Sequence, residues 1–440
     1  MKYSNTHVTD RAAGPEPRIR VAATSQGFRS ALLLAVVVSA YLSIPLVAGG
    51  RVLVPSVLTV ALAPILMLSV WSRFTTTDAV FMLKISFVLL VSIALSPGYV
   101  YLNSKLMALA QLCAGLLVVL LTVRLMQHLG ARSVERLLLL LWVSIVVGCV
   151  LEIAGITREY SDAFRDWAYG STDEIYDGDA RDTNMVGWPR PKLFSVEPSH
   201  VSKLFVIVVN AWLLLRVTWP KTWIAGVATV FMIVVMGSPI LVVSIGMTFL
   251  IVLWNQRARA GAKVAMVLAM LLVAIYFGFQ DGDSPFATVA DRLEGINTDP
   301  TERDDLGSVE QRTIYPFLVL LDTWSRWPFF GVGIGGKDVV FEHSLVELNE
   351  ATNAMGKNIV GELGISLGLV GASVFLLLLL KHAHYTGVKR VGLFGILFMM
   401  TSLLMGGLVT FRYWGLVAIL WGAMALADAD SPELAVDRPP

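Results

Sequence analysis

Apolar stretches of about 20 residues recur along the whole chain, and a helix of that length crosses the roughly 30 Å hydrocarbon layer of a membrane. Of the 440 residues, 56% are hydrophobic and only 15% are charged, which is more apolar material than one water-soluble core can enclose. The sequence therefore predicts an all-α integral membrane protein. About twelve spanning helices are predicted, at approximately 28–49, 52–71, 78–96, 105–126, 134–156, 199–217, 222–238, 239–255, 262–279, 358–380, 390–410 and 413–428.

The distribution of Lys and Arg predicts how these helices are oriented, because short basic connections stay in the cytoplasm. Bases concentrate in the N-terminal tail and in the connection after every second stretch, as at Arg124, Arg132 and Arg136. This pattern places both termini in the cytoplasm. The predicted organisation is a cytoplasmic tail 1–27, helices in 28–156, a first long loop 157–198, helices in 199–279, a second long loop 280–357, helices in 358–428 and a cytoplasmic tail 429–440.

Both long loops fall on the non-cytoplasmic face in this topology, and long loops in compact proteins are usually functional. The first loop combines carboxylates with aromatic rings, such as Asp166, Trp167, Tyr169 and Asp179. Rings stack on the flat apolar faces of sugars while carboxylates bind their hydroxyl groups, so this composition suits a carbohydrate ligand. A solvated loop that rests its rings on the membrane surface is an equal alternative.

The second loop contains an amphipathic helix candidate at 308–327, where apolar residues recur at three- and four-residue spacing. Ser308 and Gln311 resemble a capping box at its start, and Pro328 is expected to end it. Its tryptophans suit a position along the membrane interface. The glycine cluster at 331–336 that follows predicts a backbone able to approach other segments closely.

Several classes of function are disfavoured. Cys113 and Cys149 fall inside predicted spans, where they are expected to pack as small apolar residues. The net charge of +1 gives no nucleic-acid footprint, and no metal, P-loop or cofactor motif is present, so no metal or cofactor is expected. Predicted spans with few charges and no visible internal repeat also disfavour a pump.

Three segments, taken in order, resemble one family. Residues 190–199 read R-P-K-L-F-S-V-E-P-S, and residues 308–335 place Arg312 before a Trp-rich turn and a G-V-G-I-G stretch. Residues 353–371 run from Asn353 through E-L-G at 362–364 to G-L-V-G at 368–371, at the entry into the next predicted helix. Together they resemble the motifs of the O-antigen polymerase and ligase superfamily of bacterial membrane glycosyltransferases. The motifs frame both long loops, and the expected helix number suits the family.

The resemblance implies a GT-C-type polymerase/ligase fold with two large periplasmic loops that contain short amphipathic helices. It implies a multi-pass protein of the bacterial inner membrane that uses neither metal nor nucleotide sugar. Its substrate would be an undecaprenyl-pyrophosphate-linked glycan, with membrane lipid and a chain-length regulator protein as further partners in lipopolysaccharide or related polysaccharide biosynthesis. A flippase or another polysaccharide transporter is the alternative from a different class.

The sequence departs from the family pattern at one place. Ligases of the family carry a His-Asn pair just before the helix predicted at 358–380, whereas this chain has Thr352 and Asn353 there and its nearest histidine is His343. This difference favours a polymerase, which joins repeat units, over a ligase, which transfers the finished glycan to lipid A-core or protein.

The chemistry of glycosyl transfer indicates the candidate catalytic residues. A diphosphate leaving group needs cations, and the planar guanidinium of Arg binds phosphate oxygens in pairs. Arg190 and Arg312, one from each long loop, are predicted to supply this charge, with the lipid chain in a lateral apolar groove beneath them. Glu197 is the candidate base, or orienting group, for the acceptor hydroxyl. The alternatives are lipid anchoring or an ion pair with the acidic loop for the arginines, and helix capping or pairing with Arg190 for Glu197.

A second set of residues is predicted to bind substrate, and all of them except Asn353 have a structural alternative. Arg412 could instead anchor the chain at the membrane interface, the two histidines could be structural, and the two lysines could be exposed loop bases. The set consists of Arg412, His200, His343, Lys192, Lys337 and Asn353.

Overall fold

The structure, a computed structural model, describes residues 18–48, 51–54, 56–170, 178–254, 315–343 and 358–429. The described part is almost entirely helical. In chain order the helices are α1 (Arg18–Leu42), α2 (Val57–Val70), α3 (Thr76–Leu95), α4 (Leu102–Leu129), α5 (Ala131–Ile153), α6 (Arg158–Tyr169), α7 (Asp179–Val186), α8 (Pro198–Leu215), α9 (Trp219–Met236), α10 (Ile240–Trp254), α11 (Tyr315–Arg326), α12 (Lys337–His343), α13 (Ile359–Tyr385), α14 (Val391–Leu404) and α15 (Phe411–Ala429).

Seven helices in the described residues are long and apolar enough to cross a membrane, and three shorter apolar helices accompany them. The seven are Ser25–Leu42, Thr76–Leu95, Tyr99–Leu129, Ala131–Ile153, Pro198–Leu215, Trp219–Met236 and Ile359–Tyr385. This agrees with the predicted all-α membrane protein at the level of helix content and hydropathy. The predicted span 262–279 lies outside the described residues. The total of about twelve spans and their orientation therefore stay predictions.

The first two apolar stretches fold differently from the continuous spans predicted at 28–49 and 52–71. Helix α1 ends at Leu42, because Pro45 cannot donate a backbone hydrogen bond to continue it. An antiparallel pair of short strands follows, β1 (Leu46–Ala48) and β2 (Arg51–Val54). The hydroxyl of Ser56 then caps α2 by accepting from the backbone N–H of Thr59.

Helix α15 forms the centre of the bundle and packs against α4, α8 and α1. Small residues allow these close contacts, as is usual between membrane helices. A Cβ atom on Gly415 would lie 2.5 Å from the Cβ of Ala40 in α1, and one on Gly422 would lie 2.4 Å from the sulfur of Met126 in α4. The central position of α15 fixes the location of Arg412, its second residue.

Helix α11 is the described part of the amphipathic helix predicted at 308–327. It ends at Arg326 just before Pro328, as predicted, whereas the predicted capping residues Ser308 and Gln311 lie outside the described residues. Its buried face packs on α13. There the indole N–H of Trp324 donates to the carbonyl oxygen of Gly364 at 3.1 Å.

Helix α13 is broken at Gly368, whose φ of 64° is left-handed. The backbone that follows α11, including the glycine cluster predicted to approach other segments closely, pairs with the broken region. Five backbone hydrogen bonds join them, each given from the N–H to the carbonyl oxygen: Leu369 to Pro328 (2.8 Å), Val370 to Phe329 (3.1 Å), Gly371 to Phe329 (3.4 Å), Val332 to Ile365 (3.0 Å) and Gly333 to Ser366 (2.9 Å). The irregular backbone is therefore satisfied by protein, which is what a membrane interior requires.

Candidate functional site

The candidate site lies where α1 and α5 end and where α8 and α15 begin, a region that we call the loop end. Helix α6, from the first long loop, is strongly amphipathic and buries Arg165 and Tyr169 there. The Tyr169 hydroxyl donates to the carbonyl oxygen of Leu42 at the end of α1. Burial raises the pKa of Tyr169 to about 12, although the charges of Arg412 and Arg165 act in the opposite direction. The described part of the loop is thus ordered against the helices.

The segment between α7 and α8 is held in a strained conformation. Leu193 and Phe194 have φ angles of 42° and 66°, and a left-handed conformation costs an ordinary residue roughly 1–2 kcal/mol. Glu152, near the end of α5, accepts the backbone N–H groups of Lys192 at 3.0 Å and Leu193 at 2.8 Å. The hydroxyl of Tyr41 contacts the carbonyl oxygens of the same two residues. Together these contacts hold the backbone in its strained conformation.

The basic residues of this segment are ion-paired with carboxylates of α7. A guanidinium nitrogen of Arg190 lies 2.7 Å from Asp182, and the ammonium of Lys192 lies 2.8 Å from Asp179. Burial alone would raise the pKa of Asp179, but hydrogen bonds from Lys192 and Arg158 and the charges of both bases outweigh it and lower the pKa. For Arg190, the ion pair with Asp182 corresponds to the alternative given by the sequence, a pairing with the acidic residues of the first long loop. Its role at a diphosphate stays a prediction.

Glu197 stands at the N-cap position of α8, followed by Pro198, but its side chain makes no capping hydrogen bond. One carboxylate oxygen of Glu197 instead accepts from the hydroxyl of Ser199 and lies 3.3 Å from Nε2 of His200. The same oxygen is 3.8 Å from the ammonium of Lys203. The acid and the histidine that sequence spacing placed one turn apart are therefore in contact.

Arg412 joins this pair from the other end of the sequence. Its guanidinium donates to the carbonyl oxygens of Tyr41 at 2.9 Å and Leu42 at 3.2 Å, so it caps the end of α1. Its third contact is to Nε2 of His200, at 2.9 Å. One side chain, Arg412, therefore contacts both the end of α1 and His200. The predicted alternative for Arg412, anchoring at the membrane interface, stays a prediction.

The contacts of His200 place a condition on its proton. A guanidinium can only donate, so Nε2 must accept in the contact with Arg412, and the neutral ring then carries its proton on Nδ1. The carboxylate of Glu197 can only accept, so Nε2 would need a proton to bond with it. The protonation state of Nε2 therefore selects its partner: unprotonated Nε2 accepts from Arg412, and protonated Nε2 donates to Glu197.

The structure describes two of the remaining predicted site residues, Lys337 and His343, and both lie in α12. Arg312 and Asn353 lie outside the described residues, so the predicted sharing of one site by Arg190 and Arg312 stays a prediction. Lys337 and His343 begin and end α12, where both are exposed. Lys337 acts electrostatically on Glu362 at the start of α13, while the ring of His343 lies 5.8 Å from that of Trp327.

Sequence reasoning missed two acids that position the site. Glu152 fixes the strained segment, and Glu362 accepts the N–H groups of Gly407 at 3.2 Å and Leu408 at 2.7 Å, which fixes the connection leading to Arg412. The available signal was a carboxylate within one turn of the end of an apolar stretch, where a charge must have a partner to be buried.

A further buried cluster lies at the opposite end of the bundle. The carboxylate of Asp78 in α3 is fully buried and binds Arg124 of α4 through both oxygens, at 2.8 and 3.1 Å. Nε2 of His382 in α13 lies 3.0 Å from the same carboxylate. Among the residues that the structure describes, neither this cluster nor any other contains three metal-ligating side chains suited to a metal ion.

Comparison with known proteins adds no assignment, because no known protein family matches the chain and no curated protein is significantly similar to it.

Proposed function

We propose that this chain is a membrane glycosyltransferase that polymerises undecaprenyl-pyrophosphate-linked repeat units of O-antigen or a related surface polysaccharide. The reaction is placed at the periplasmic face of the bacterial inner membrane, within a GT-C-type fold. One observation carries the proposal beyond the sequence motifs: Glu197, His200 and Arg412 meet at the loop end. An acid, a base and a cation beside an ordered polar loop suit group transfer from an anionic leaving group.

The proposed reaction moves a glycan between two oxygen atoms. A hydroxyl oxygen of the incoming repeat unit bonds to the anomeric carbon of the growing glycan. The bond from that carbon to the diphosphate oxygen breaks, and its electron pair leaves with the diphosphate. The hydroxyl proton passes to Glu197 directly or through Nε2 of His200, which can accept it when that nitrogen is unprotonated.

The cations have the complementary role of stabilising the departing diphosphate. Arg190 is fixed by Asp182 and Lys192 by Asp179, so both side chains are held in place before substrate arrives. Such preorganisation avoids reorganisation at the moment of reaction. The charges are partly neutralised by these partners, and a diphosphate must therefore compete with the two carboxylates for the bases.

A transporter without covalent chemistry is the second candidate, and the Asp78, Arg124 and His382 cluster favours it. Ionisable groups buried within membrane helices often mark ion or proton pathways. A ligase of the same superfamily is the closer alternative. Deleting a polymerase should leave single repeat units on the lipopolysaccharide, whereas deleting a ligase should leave none there and lipid-linked polymer should accumulate.

The direct test is reconstitution of the purified protein with a defined lipid-linked repeat unit, followed by analysis of glycan length. The wild-type protein should produce a ladder of longer glycans, and a transporter should produce none. Glu197→Gln should slow elongation by about 10²–10⁴-fold, the usual contribution of a general base. Glu159→Gln is the matched control, because Glu159 is an exposed acid of the same loop. Equal rates for the two variants would exclude Glu197 as the base.

The arginine assignment needs its own control, because removing any loop arginine breaks an ion pair. Arg190→Ala and Arg158→Ala each remove one arginine that pairs with a carboxylate of α7. Only Arg190→Ala is expected to abolish long glycans while the protein stays folded and abundant. Similar chain lengths from both variants would show that Arg190 does not act on the diphosphate.

A further inference from the structure

The two bases of the segment between α7 and α8 are covered in the structure. Arg190 is 9% exposed and Lys192 is 2% exposed. Both face carboxylates of α7, since Arg190 lies 2.7 Å from Asp182 and Lys192 lies 2.8 Å from Asp179. An anion that binds these bases therefore has to take the place of the α7 carboxylates, because almost none of either side chain reaches solvent.

The two carboxylates of α7 form a spaced pair of anions. Asp179 and Asp182 are three residues apart in one helix, so they lie on the same face, roughly 4.5 Å apart along the axis. Each of them pairs with a different base. A diphosphate has the same character, because its two phosphoryl groups each carry a negative charge and each can face one base.

A single phosphate does not match this pair. Both carboxylates belong to one short helix, so an anion that displaces α7 removes the partners of Arg190 and Lys192 together. A diphosphate supplies a new partner for each base. A single phosphate supplies one, and the other base is left as a buried charge without its partner, which is strongly unfavourable.

The backbone that carries the bases is attached to the helix bundle without the help of α7. Glu152 of α5 accepts the N–H groups of Lys192 and Leu193, and the hydroxyl of Tyr41 in α1 contacts the carbonyl oxygens of the same two residues. By contrast, side-chain ion pairs join α7 to the bases. The segment can therefore keep its shape when α7 moves away.

A hinge lies at the C-terminal end of α7, where this helix contacts α9. Gly187 follows the helix with a left-handed φ of 86°, which glycine adopts without strain. The next residue, Trp188, is fixed, because its indole N–H donates to the carbonyl oxygen of Val235 at the end of α9 at 3.0 Å. Rotation about Gly187 therefore moves α7 while Trp188 and the bases stay in place.

We propose that α7 is an internal counter-anion of Arg190 and Lys192, which the diphosphate group of the lipid-linked substrate displaces and a single phosphate does not. The identity of that substrate rests on the proposed function. Asp179 and Asp182 are then specificity-determining residues, because they disfavour every anion that cannot pair with both bases. Anionic phospholipids such as phosphatidylglycerol carry one phosphate, so α7 keeps them from the bases.

The test measures hydrogen exchange of the α7 amides in the full-length protein in nanodiscs, with farnesyl diphosphate and farnesyl phosphate as probes. Saturating farnesyl diphosphate should speed this exchange about tenfold or more, and farnesyl phosphate should leave it unchanged. Equal acceleration by both probes, or by neither, would overturn the proposal. Inorganic pyrophosphate should need at least about tenfold higher concentrations, because it does not partition into the membrane. Equal potency would refute the assignment to a lipid-borne group.

Two aspartates of the first long loop give a matched comparison. The side chain of Asp179 is 38% exposed and pairs with Arg158 and Lys192. The side chain of Asp162 is 39% exposed and pairs with Arg158 and Arg165. Asp179→Asn should speed exchange of α7 in the absence of ligand and lower the apparent Kd of farnesyl diphosphate, each by about tenfold. Asp162→Asn should change neither quantity.

Competition by α7 predicts that these two changes are linked. The apparent Kd is inversely proportional to the fraction of protein in which α7 is displaced, and exchange of α7 reports the same fraction. The two fold-changes in Asp179→Asn should therefore agree within about threefold, and Asp179→Glu should restore both toward the wild-type values. A carboxylate that only supports the fold would give a higher apparent Kd when removed, and that result would overturn the proposal.

The outcomes separate this inference from the proposed function. Elongation of glycan by a protein whose α7 stays protected with bound diphosphate would refute the displacement of α7 and leave the polymerase proposal standing. Selective displacement of α7 by farnesyl diphosphate, in a protein that elongates no glycan, would support the counter-anion role and refute the polymerase.

Discussion

Glu152 should control the order of the segment that carries Arg190 and Lys192. Its carboxylate accepts two backbone N–H groups, and a hydrogen bond to a charged group contributes about 1.5–3 kcal/mol, so the pair contributes roughly 3–6 kcal/mol. Two left-handed residues, Leu193 and Phe194, cost roughly 2–4 kcal/mol together. The two quantities are similar in size, and the strained turn therefore depends on this one carboxylate.

Glu152→Ala should release the turn, and hydrogen exchange of the purified protein should detect it. A loss of about 3–6 kcal/mol corresponds to roughly 10²–10⁴-fold faster exchange of the Lys192 and Leu193 amides, since each 1.4 kcal/mol is tenfold. Glu152→Gln keeps one accepting oxygen and should lose about half of this protection. Glu159→Ala is the control in the adjacent helix. Unchanged protection in Glu152→Ala would refute the argument that this carboxylate holds the turn.

Two further predictions concern the charge network and the helix packing. The pKa of Asp179 is lowered in the folded protein, so its ion pairs stabilise the fold fully above the unfolded pKa of about 3.9, and this stabilisation is lost as pH falls through the lower, folded pKa. Protection of the α7 amides from hydrogen exchange should therefore be constant between pH 7 and 5 and decline below about pH 4. A decline that already begins at pH 6 would contradict this assignment. Gly415→Ala should destabilise the protein by about 1–3 kcal/mol, because the new methyl meets the immobile Cβ of Ala40. Gly422→Ala should cost less stability, because the flexible side chain of Met126 can move aside. Thermal unfolding in detergent compares the two variants, and an equal or larger loss of stability in Gly422→Ala would contradict the packing argument.

The helices were predictable because apolar length is a local property of the sequence. Each predicted span within the described residues overlaps a helix, although the first two also include residues of β1 and β2. Strands β1 and β2 were not predictable in the same way, since a short run of Val and Leu fits a strand as well as a membrane helix. The break at Gly368 was also hidden. A glycine within an apolar stretch is compatible with a continuous membrane helix. The break is stable only because the segment after Pro328 supplies hydrogen bonds to the backbone around Gly368.

The candidate site was predictable only in its local part. Glu197 and His200 lie three residues apart at the start of a helix, so their contact follows from helix geometry. The meeting of His200 with Arg412 depends on how α8 and α15 pack, which no local pattern reveals. The pairing of Arg190 with Asp182 was foreseeable in kind, because the loop is rich in acids, but the particular partner required the fold of α7.

The broken helix α13 has a consequence for how the protein assembles. Before the backbone at 328–333 docks, the break at Gly368 leaves amide and carbonyl groups without partners, and each such group costs several kcal/mol in a lipid environment. The part of α13 around Gly368 is therefore expected to complete its structure only together with the segment that follows α11. The two form one cooperative unit during biogenesis, and a ribosome must synthesise residues through at least Val370 before that unit can close.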